Sequence, residues 1–264
     1  VPPILIDFEM LKRTDNKKEV LRIVQDNSDI SWEMLPTQWL KDKDILSALV
    51  KNMGLTATIR KLGILTANGV IAPMSQGSKD VIAKLSDVEQ LTKQRVHPIT
   101  LLQAFKQYGV GHGEKGSTVW KADQRVLDAL DTAFYAAFGT IEKTDDDYFI
   151  GVDCSGSMSG AKVNGSPNLT AIEVAGVMAL AVVKNQKNFW IGGFNSQMGE
   201  LKISPSMRLD QVTKTMLAFR WGSTDCSLPF THALQHNIGA DKFVVITDNE
   251  TYAGRIQPSE ALRN

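Results

Sequence analysis

The chain reads YFIGVDCSGS from residue 148 to residue 157, and this stretch decides how the second half of the sequence is interpreted. The apolar run at 148–152 predicts a short, buried strand. Directly after it come one carboxylate, Asp153, and two hydroxyls, Ser155 and Ser157. Because ligands of α/β sheets lie at the carboxyl ends of the strands, this loop is the expected position of a binding site.

Predicted strands and helices alternate after this stretch. The further elements expected are, in chain order, a helix at 169–184, a strand at 188–194, helices at 209–219 and 228–237, and a strand at 243–247. Each strand is nearly continuous in apolar residues, which indicates a parallel sheet covered by helices on both faces. We therefore predict a doubly wound, Rossmann-like α/β domain at 145–264, which follows a polar linker.

Further oxygen-bearing side chains are expected at the same sheet edge. Asp248 follows the strand at 243–247, so in a parallel sheet it points to the edge that carries Asp153. Thr224, in the loop 222–225 before a helix, would add a hydroxyl. Mg²⁺ takes about six oxygen ligands in an octahedron. The sequence thus predicts a divalent-cation site, with Mg²⁺ as the expected ion, held by Asp153, Ser155, Ser157, Thr224 and Asp248.

Two carboxylates and neutral hydroxyls leave such a cation open to an outside carboxylate or phosphate, which predicts a docking site. One alternative is a solvated turn, in which Asp, Ser and Gly are common. Another is an aspartate phosphotransferase, but that chemistry would need a second acid where Ser155 stands. Cys154 and Cys226 flank the loops and are interpreted as buried small residues. No catalytic residue is assigned.

The first half, residues 1–144, has apolar residues at helical spacing, for example Val126, Leu130 and Phe134. Breakers such as the glycine-rich stretch 109–116 divide it into short helices. This pattern predicts an all-helical unit, either an α-solenoid or an irregular bundle.

Composition limits the class of protein. A length of 264 residues fits two domains, and a net charge of zero argues against a surface coated with basic residues for nucleic acid. Residues 1–144 contain 19 Lys and Arg against 17 Asp and Glu, so a basic surface would have to be local. Two cysteines, with no membrane-length apolar run and no signal-like start, predict a soluble cytoplasmic protein.

Several basic side chains of the helical half are candidate RNA contacts. Phosphate contacts are considered at Arg60, Lys61, Lys12 and Arg13, although such charges on helices are most often simply solvated. His112 and Lys115 lie in a glycine-rich loop, and histidine can stack on a single-stranded base. A loop histidine without a special role is the competing interpretation. His232 and His236, one helical turn apart, are interpreted as surface residues rather than zinc ligands.

The metal motif and short motifs in both halves carry a resemblance to a known family. They are WEML at 32–35, RKLG at 60–63, TAN at 66–68, HP at 97–98, GHG at 111–113, TDCSLP at 224–229 and TDNET at 247–251. The second half resembles a von Willebrand factor A domain with its metal-ion-dependent adhesion site. The chain as a whole resembles the Ro ribonucleoprotein autoantigen family, whose helical module is called TROVE.

This resemblance implies a ring of HEAT-like helical repeats closed by the A domain. It also implies binding of small Y RNAs on the outside of the ring, binding of misfolded noncoding RNA ends in its central hole, and a role in RNA quality control without enzymatic activity. The chain opens at Val1 and stops at Asn264, soon after the metal motif. We therefore expect part of the repeat module at 1–144 and an A domain that lacks its last strand or strands.

Two functions follow as hypotheses. The first is an RNA-binding scaffold of the Ro type, in the cytoplasm and, in a eukaryote, also in the nucleus. The second is a metal-dependent docking module for a protein that presents Asp or Glu to the cation, with no role for RNA. Metal-assisted hydrolysis ranks third, because no general base is evident near the site.

Overall fold

The computed structural model describes residues 1–114, 117–219, 222–248, 251 and 253–263. The chain divides into two compact units, Val1–Thr140 and Ile141–Asn264, and each is described by itself. The expected order of a helical unit followed by an α/β unit is confirmed.

The first unit consists of short helices. They are α1 (Pro3–Arg13), α2 (Lys17–Asp26), α3 (Lys43–Asn52), α4 (Leu55–Ala67), α5 (Gln76–Leu85), α6 (Val88–Lys93), α7 (Pro98–Val110) and α8 (Gln124–Ala137), with short 3₁₀ turns at Trp32–Met34, Trp39–Lys41 and Phe138–Thr140. Most begin at a polar cap: Asp42 accepts hydrogen bonds from the first-turn amides of α3, and Ser75 accepts one in α5. Such caps satisfy amides that have no partner within the helix.

Helix α8 lies against α5, α6 and α7 and supplies much of the core of this unit. Its buried side chains recur every three or four residues, so that they form one face: Val126, Ala129, Leu130, Ala133, Phe134 and Ala137. This spacing is the pattern that predicted a helix from the sequence.

A buried polar network ties four of these helices together. The hydroxyl of Tyr108, on α7, accepts a hydrogen bond from the backbone N–H of Asp123 at 3.0 Å and lies 3.0 Å from the hydroxyl of Thr66, on α4. The Asp123 carboxylate accepts from the hydroxyl of Ser78, on α5, at 3.1 Å and caps α8 by accepting from Arg125 N at 2.9 Å. Because every group has a partner, the network fixes the helices relative to one another.

His97 is expected to make the stability of the helical unit depend on pH. Its Nδ1 accepts a hydrogen bond from Ile99 N at 3.2 Å and so caps α7, and partial burial lowers the pKa of the ring below its ordinary 6.5. Since the unfolded chain binds the proton more readily, the contribution is complete above about pH 6.5 and is lost as the pH falls through the lowered value.

Loss of this cap should cost about 0.5–1 kcal/mol. We expect urea denaturation to show the loss as pH drops below 6.5 in the native chain and to show a smaller one in a His97→Ser variant, whose cap does not titrate. An equal pH slope in both chains over this interval would rule out His97 as the cause.

The second unit is built on a four-stranded sheet. Its elements are β1 (Asp147–Asp153), α9 (Gly156–Gly160), β2 (Lys162–Val163), β3 (Ser166–Thr170), α10 (Ala171–Asn185), β4 (Asn188–Phe194), β5 (Met198–Glu200), α11 (Leu209–Leu217), α12 (Leu228–Gln235), β6 (Lys242–Ile246) and α13 (Pro258–Ala261). The strand order is β5-β4-β1-β6, and β1 pairs in parallel with both β4 and β6. All positions of β1 from Phe149 to Asp153 are buried, so both of its faces are covered.

Two predictions about this unit were wrong in detail. The sheet is mixed rather than purely parallel, since β5 pairs antiparallel with β4 at the sheet edge. The helix expected from 169 begins at Ala171, because residues 166–170 form the second strand of a hairpin with β2. Thr170 and Glu173 form a capping box that starts the helix.

Gly151, in the middle of β1, allows the close approach of α12. A Cβ at this position would lie 2.8 Å from Cγ of Pro229, in the first turn of that helix. The missing side chain therefore allows the first turn of α12 to lie directly against β1. Among the described residues, no helix combines the length and apolar character needed to cross a bilayer.

Candidate metal centre and candidate RNA contacts

Asp153 is the centre of the site at the end of β1. Its side chain is fully buried, with Oδ1 accepting from Ser155 N at 2.8 Å and Oδ2 accepting from Thr247 Oγ1 at 2.8 Å. Thr247 directly follows β6, so its hydroxyl ties the end of that strand to the end of β1. The sequence prediction placed Thr247 in a strand and gave it no role. Its position next to Asp248, at the end of a parallel strand, could have indicated that its hydroxyl reaches Asp153.

The two serine hydroxyls lie next to each other. Ser155 Oγ is 3.1 Å from Ser157 Oγ, and Ser155 is buried while Ser157 is exposed. Adjacent ligands of an Mg²⁺ octahedron with bonds of 2.0–2.1 Å are separated by about 3 Å. The spacing of the two hydroxyls therefore suits one edge of such a shell, with the exposed Ser157 on its solvent side.

Asp248 brings a second carboxylate to the same place. Its negative charge contributes to raising the pKa of Asp153, although burial of Asp153 is the larger cause and hydrogen bonds from Ser155 and Thr247 oppose the shift. Oδ1 of Asp248 is buried and has no hydrogen-bond partner among the described residues. A buried carboxylate oxygen without a donor is costly unless a cation or water satisfies it.

Thr224 lies on a loop that closes over this edge. Its side chain is 4% exposed. The adjacent Asp225 donates its backbone N–H to the carbonyl of Asn195, just after β4, at 2.9 Å, and Cys226 Sγ lies 3.9 Å from Thr247 Oγ1. Since Thr247 also donates to Asp153, the loop that carries Thr224 lies at the same sheet edge as the loop of the two serines.

These residues fit a hard divalent cation. Their donors are carboxylate and hydroxyl oxygens, the ligand type that Mg²⁺ prefers. No group of three or more His, Cys, Asp and Glu that could hold a metal occurs in the part of the chain that the structure describes. The Cys154 thiol, next to Asp153, has its pKa raised to about 12 by burial and by that negative charge, so it stays protonated.

The candidate RNA contacts are scattered over the helical unit. Lys12 Nζ lies 2.8 Å from Glu9 Oε1, and Arg13 pairs with the same carboxylate at 3.3 Å. Lys61 Nζ lies 4.6 Å from the ring centroid of Trp32, in a cation–π contact. These three cations already have intramolecular partners, a competing use that sequence alone does not reveal.

Two further candidates differ from these. Arg60 is exposed and forms no hydrogen bond or ion pair with any described residue. His112 is exposed, with its Nδ1 3.1 Å from the carbonyl of Gly113. Lys115 lies outside the described residues. The rings of His232 and His236, the pair considered for zinc and interpreted as surface residues, stack with their centroids 4.1 Å apart.

Family models match both halves of the chain. One, described as TROVE domain, matches residues 24–107, and another, described as Ro60 vWA domain, matches residues 147–264. The chain belongs to the Ro60 family. The resemblance inferred from the short motifs is thus confirmed.

Similar proteins of this family include "RNA-binding protein RO60" from Caenorhabditis elegans, 33% identical over 260 residues that make up 98% of this chain and 40% of that protein. The protein of the same name from Deinococcus radiodurans is 35% identical over 87% of this chain and 43% of its own length. The crystal structure of the Deinococcus radiodurans RO (RSR) protein matches with a TM-score of 0.88 at 32% identity, covering 99% of this chain and 53% of that one. The chain therefore spans about half or less of these Ro60 relatives.

Proposed function

We propose that this chain is the RNA-binding scaffold of a Ro-type ribonucleoprotein. Its RNAs would be small, Y-like RNAs and the ends of misfolded noncoding RNAs, bound for RNA quality control in the cytoplasm without chemical turnover. The observation that carries the proposal is the 33% identity, across 98% of the chain, to a protein described as RNA-binding.

The helical unit supplies the RNA-binding surface in this proposal. Its balance of 19 basic against 17 acidic residues over 1–144 calls for a localised contact rather than a uniformly basic face. Arg60 supports such a contact best, because it is exposed and has no partner among the described residues. His112, also exposed, adds a ring suited to a base.

The metal site has a separate role in this proposal. Asp153, Ser155, Ser157, Thr224 and Asp248 would hold Mg²⁺, and with one of the two acids reaching the ion through water, the directly bound ligands would neutralise only part of its charge. Its open position would accept an outside carboxylate or phosphate, as from a protein presenting Asp or Glu. The exposed hydroxyl of Ser157 and the unpartnered Oδ1 of Asp248 support this function.

The RNA proposal predicts a strong dependence of binding on salt. Because neutralised phosphates release counterions, the affinity for a short RNA hairpin with a single-stranded 3′ tail should fall at least about tenfold between 50 and 200 mM KCl. Fluorescence anisotropy with a labelled hairpin measures this. An affinity that does not change between the two salt concentrations would contradict the proposal, as would the absence of saturable binding at the lower one.

A further inference from the structure

The helical unit contains a pocket of about 550 Å³ between α4, α7 and the residues Gly113, Glu114, Thr118 and Trp120 that follow α7. This volume lies within the range of small-ligand sites. Its lining combines an arginine, a carboxylate, amides and an aromatic ring, supplied by Arg60, Glu114, Gln103, Gln107 and Trp120. A pocket with both charges and an aromatic wall is suited to a ligand that is itself part polar and part planar.

Hydrogen bonds hold residues 111–114 and 117–120 to each other and to α7, so these walls of the pocket are in place before any ligand binds. Gln107 Nε2 donates to the carbonyl of His112 at 2.7 Å, and Trp120 N donates to the carbonyl of Gly111 at 2.8 Å. Gly113 N donates to the carbonyl of Thr118 at 2.9 Å. A preformed site loses less conformational entropy on binding.

Trp120 is held in place from two sides. Its Nε1 donates to the carbonyl of Tyr108 at 2.8 Å. Its ring lies over Gly63 of α4, where a Cβ would come within 2.6 Å of the indole. Glycine normally destabilises the interior of a helix. At position 63 it leaves the space into which the indole ring of Trp120 packs.

The charged groups of the pocket reach it from different walls. Arg60 belongs to α4, and Glu114 follows α7. Both are exposed, and neither has a hydrogen-bond or ion-pair partner among the described residues. A cation and a carboxylate that do not pair with each other suit a ligand with an anionic end and a hydrogen-bond donor at the other end.

We propose that this pocket binds one nucleotide of a single-stranded RNA. Arg60 contacts the phosphate, Trp120 and the neighbouring apolar wall contact the base, and Glu114 accepts a hydrogen bond from an exocyclic amino group of the base. The inference rests on the proposed RNA-binding function and names a site for it. An acidic peptide fits less well, because Glu114 would repel it.

Cytidine and uridine 5′-monophosphates form the sharpest pair of probes, since CMP carries an amino group where UMP carries a carbonyl oxygen. Isothermal titration with the intact chain should show CMP binding about tenfold tighter than UMP. Glu114→Gln should bring the two affinities close together, because an amide can pair with either group. Arg60→Ala should weaken both ligands about equally, by roughly fivefold or more.

Exposed residues of the same unit provide controls: Arg22→Ala and Glu89→Gln should leave both affinities unchanged. Three results would each overturn the assignment of the pocket. The native chain could bind CMP and UMP equally, or it could show no saturable CMP binding at millimolar concentration. The third is a preference for CMP that persists in Glu114→Gln. If salt-sensitive binding of the tailed hairpin nevertheless persists, only the pocket is excluded. If the native chain binds CMP but does not bind the tailed hairpin, the broader RNA-binding function is excluded instead.

Discussion

Replacing Asp153 by asparagine is expected to remove the stabilisation of the α/β unit by Mg²⁺. A ligand that binds only the folded state stabilises it by about 2.7 kcal/mol at one hundred times its Kd. Asp153 is fully buried and accepts from Ser155 N, and the substitution removes one of the two acids of the proposed site. We expect Mg²⁺ affinity to fall at least roughly a hundredfold, since even outer-shell changes cost 10–100-fold. Thermal unfolding with and without Mg²⁺ measures the effect.

The design of this experiment separates metal binding from folding. An amide can still accept from Ser155 N, so the variant should fold in the absence of metal. Asp145→Asn is the matched control, because Asp145 is 96% exposed and lies just before β1. Its Mg²⁺ response should equal that of the native chain. An unchanged response in Asp153→Asn would remove this residue from the site.

Replacing Asp123 by alanine is expected to cost the helical unit about 2–4 kcal/mol. The change removes the cap of α8, leaves the Ser78 hydroxyl with one partner fewer, and removes a charge that faces Arg125 at 3.6 Å. An N-cap contributes about 1 kcal/mol, and a hydrogen bond to a charged group about 1.5–3 kcal/mol. Urea denaturation followed by circular dichroism gives the difference in the free energy of unfolding.

Two further variants test the cause of this loss. Asp123→Asn retains an oxygen for the cap and should lose clearly less than the alanine variant. Asp128→Ala removes an exposed acid from the same helix and should change stability by less than about 0.5 kcal/mol. Equal effects of Asp123→Ala and Asp128→Ala would show that the buried network contributes little.

The parts of the fold that the sequence predicted well are those that depend on local periodicity. The strand at 188–194 is found at the predicted bounds, and β1 extends the predicted 148–152 by one residue at each end. Between Asp147 and Asp153 in β1, and after Asn188 in β4, no charged or amide side chain interrupts the strand, and the last four residues of β4 and the last five of β1 are buried. The convergence of Asp153 and Asp248 followed from parallel pairing alone, since the ends of parallel strands meet at one edge.

Other features depend on pairings that leave little trace in the sequence. The edge strand Met198–Glu200 has three residues, too few for a period to be seen. The bond from Thr247 to Asp153 joins positions 94 residues apart. The partners of Lys12 and Lys61, a carboxylate one turn away and an indole on another segment, depend on side-chain placement rather than composition.

A crystal of this chain grown with Mn²⁺ and examined by anomalous scattering would test the metal site most directly. We expect one strong peak at the ends of β1 and β6, within coordination distance of the hydroxyls of Ser155, Ser157 and Thr224, with both acids bound directly or through water. A saturated crystal with no peak at this edge, or with the Thr224 hydroxyl turned away from the ion, would contradict it.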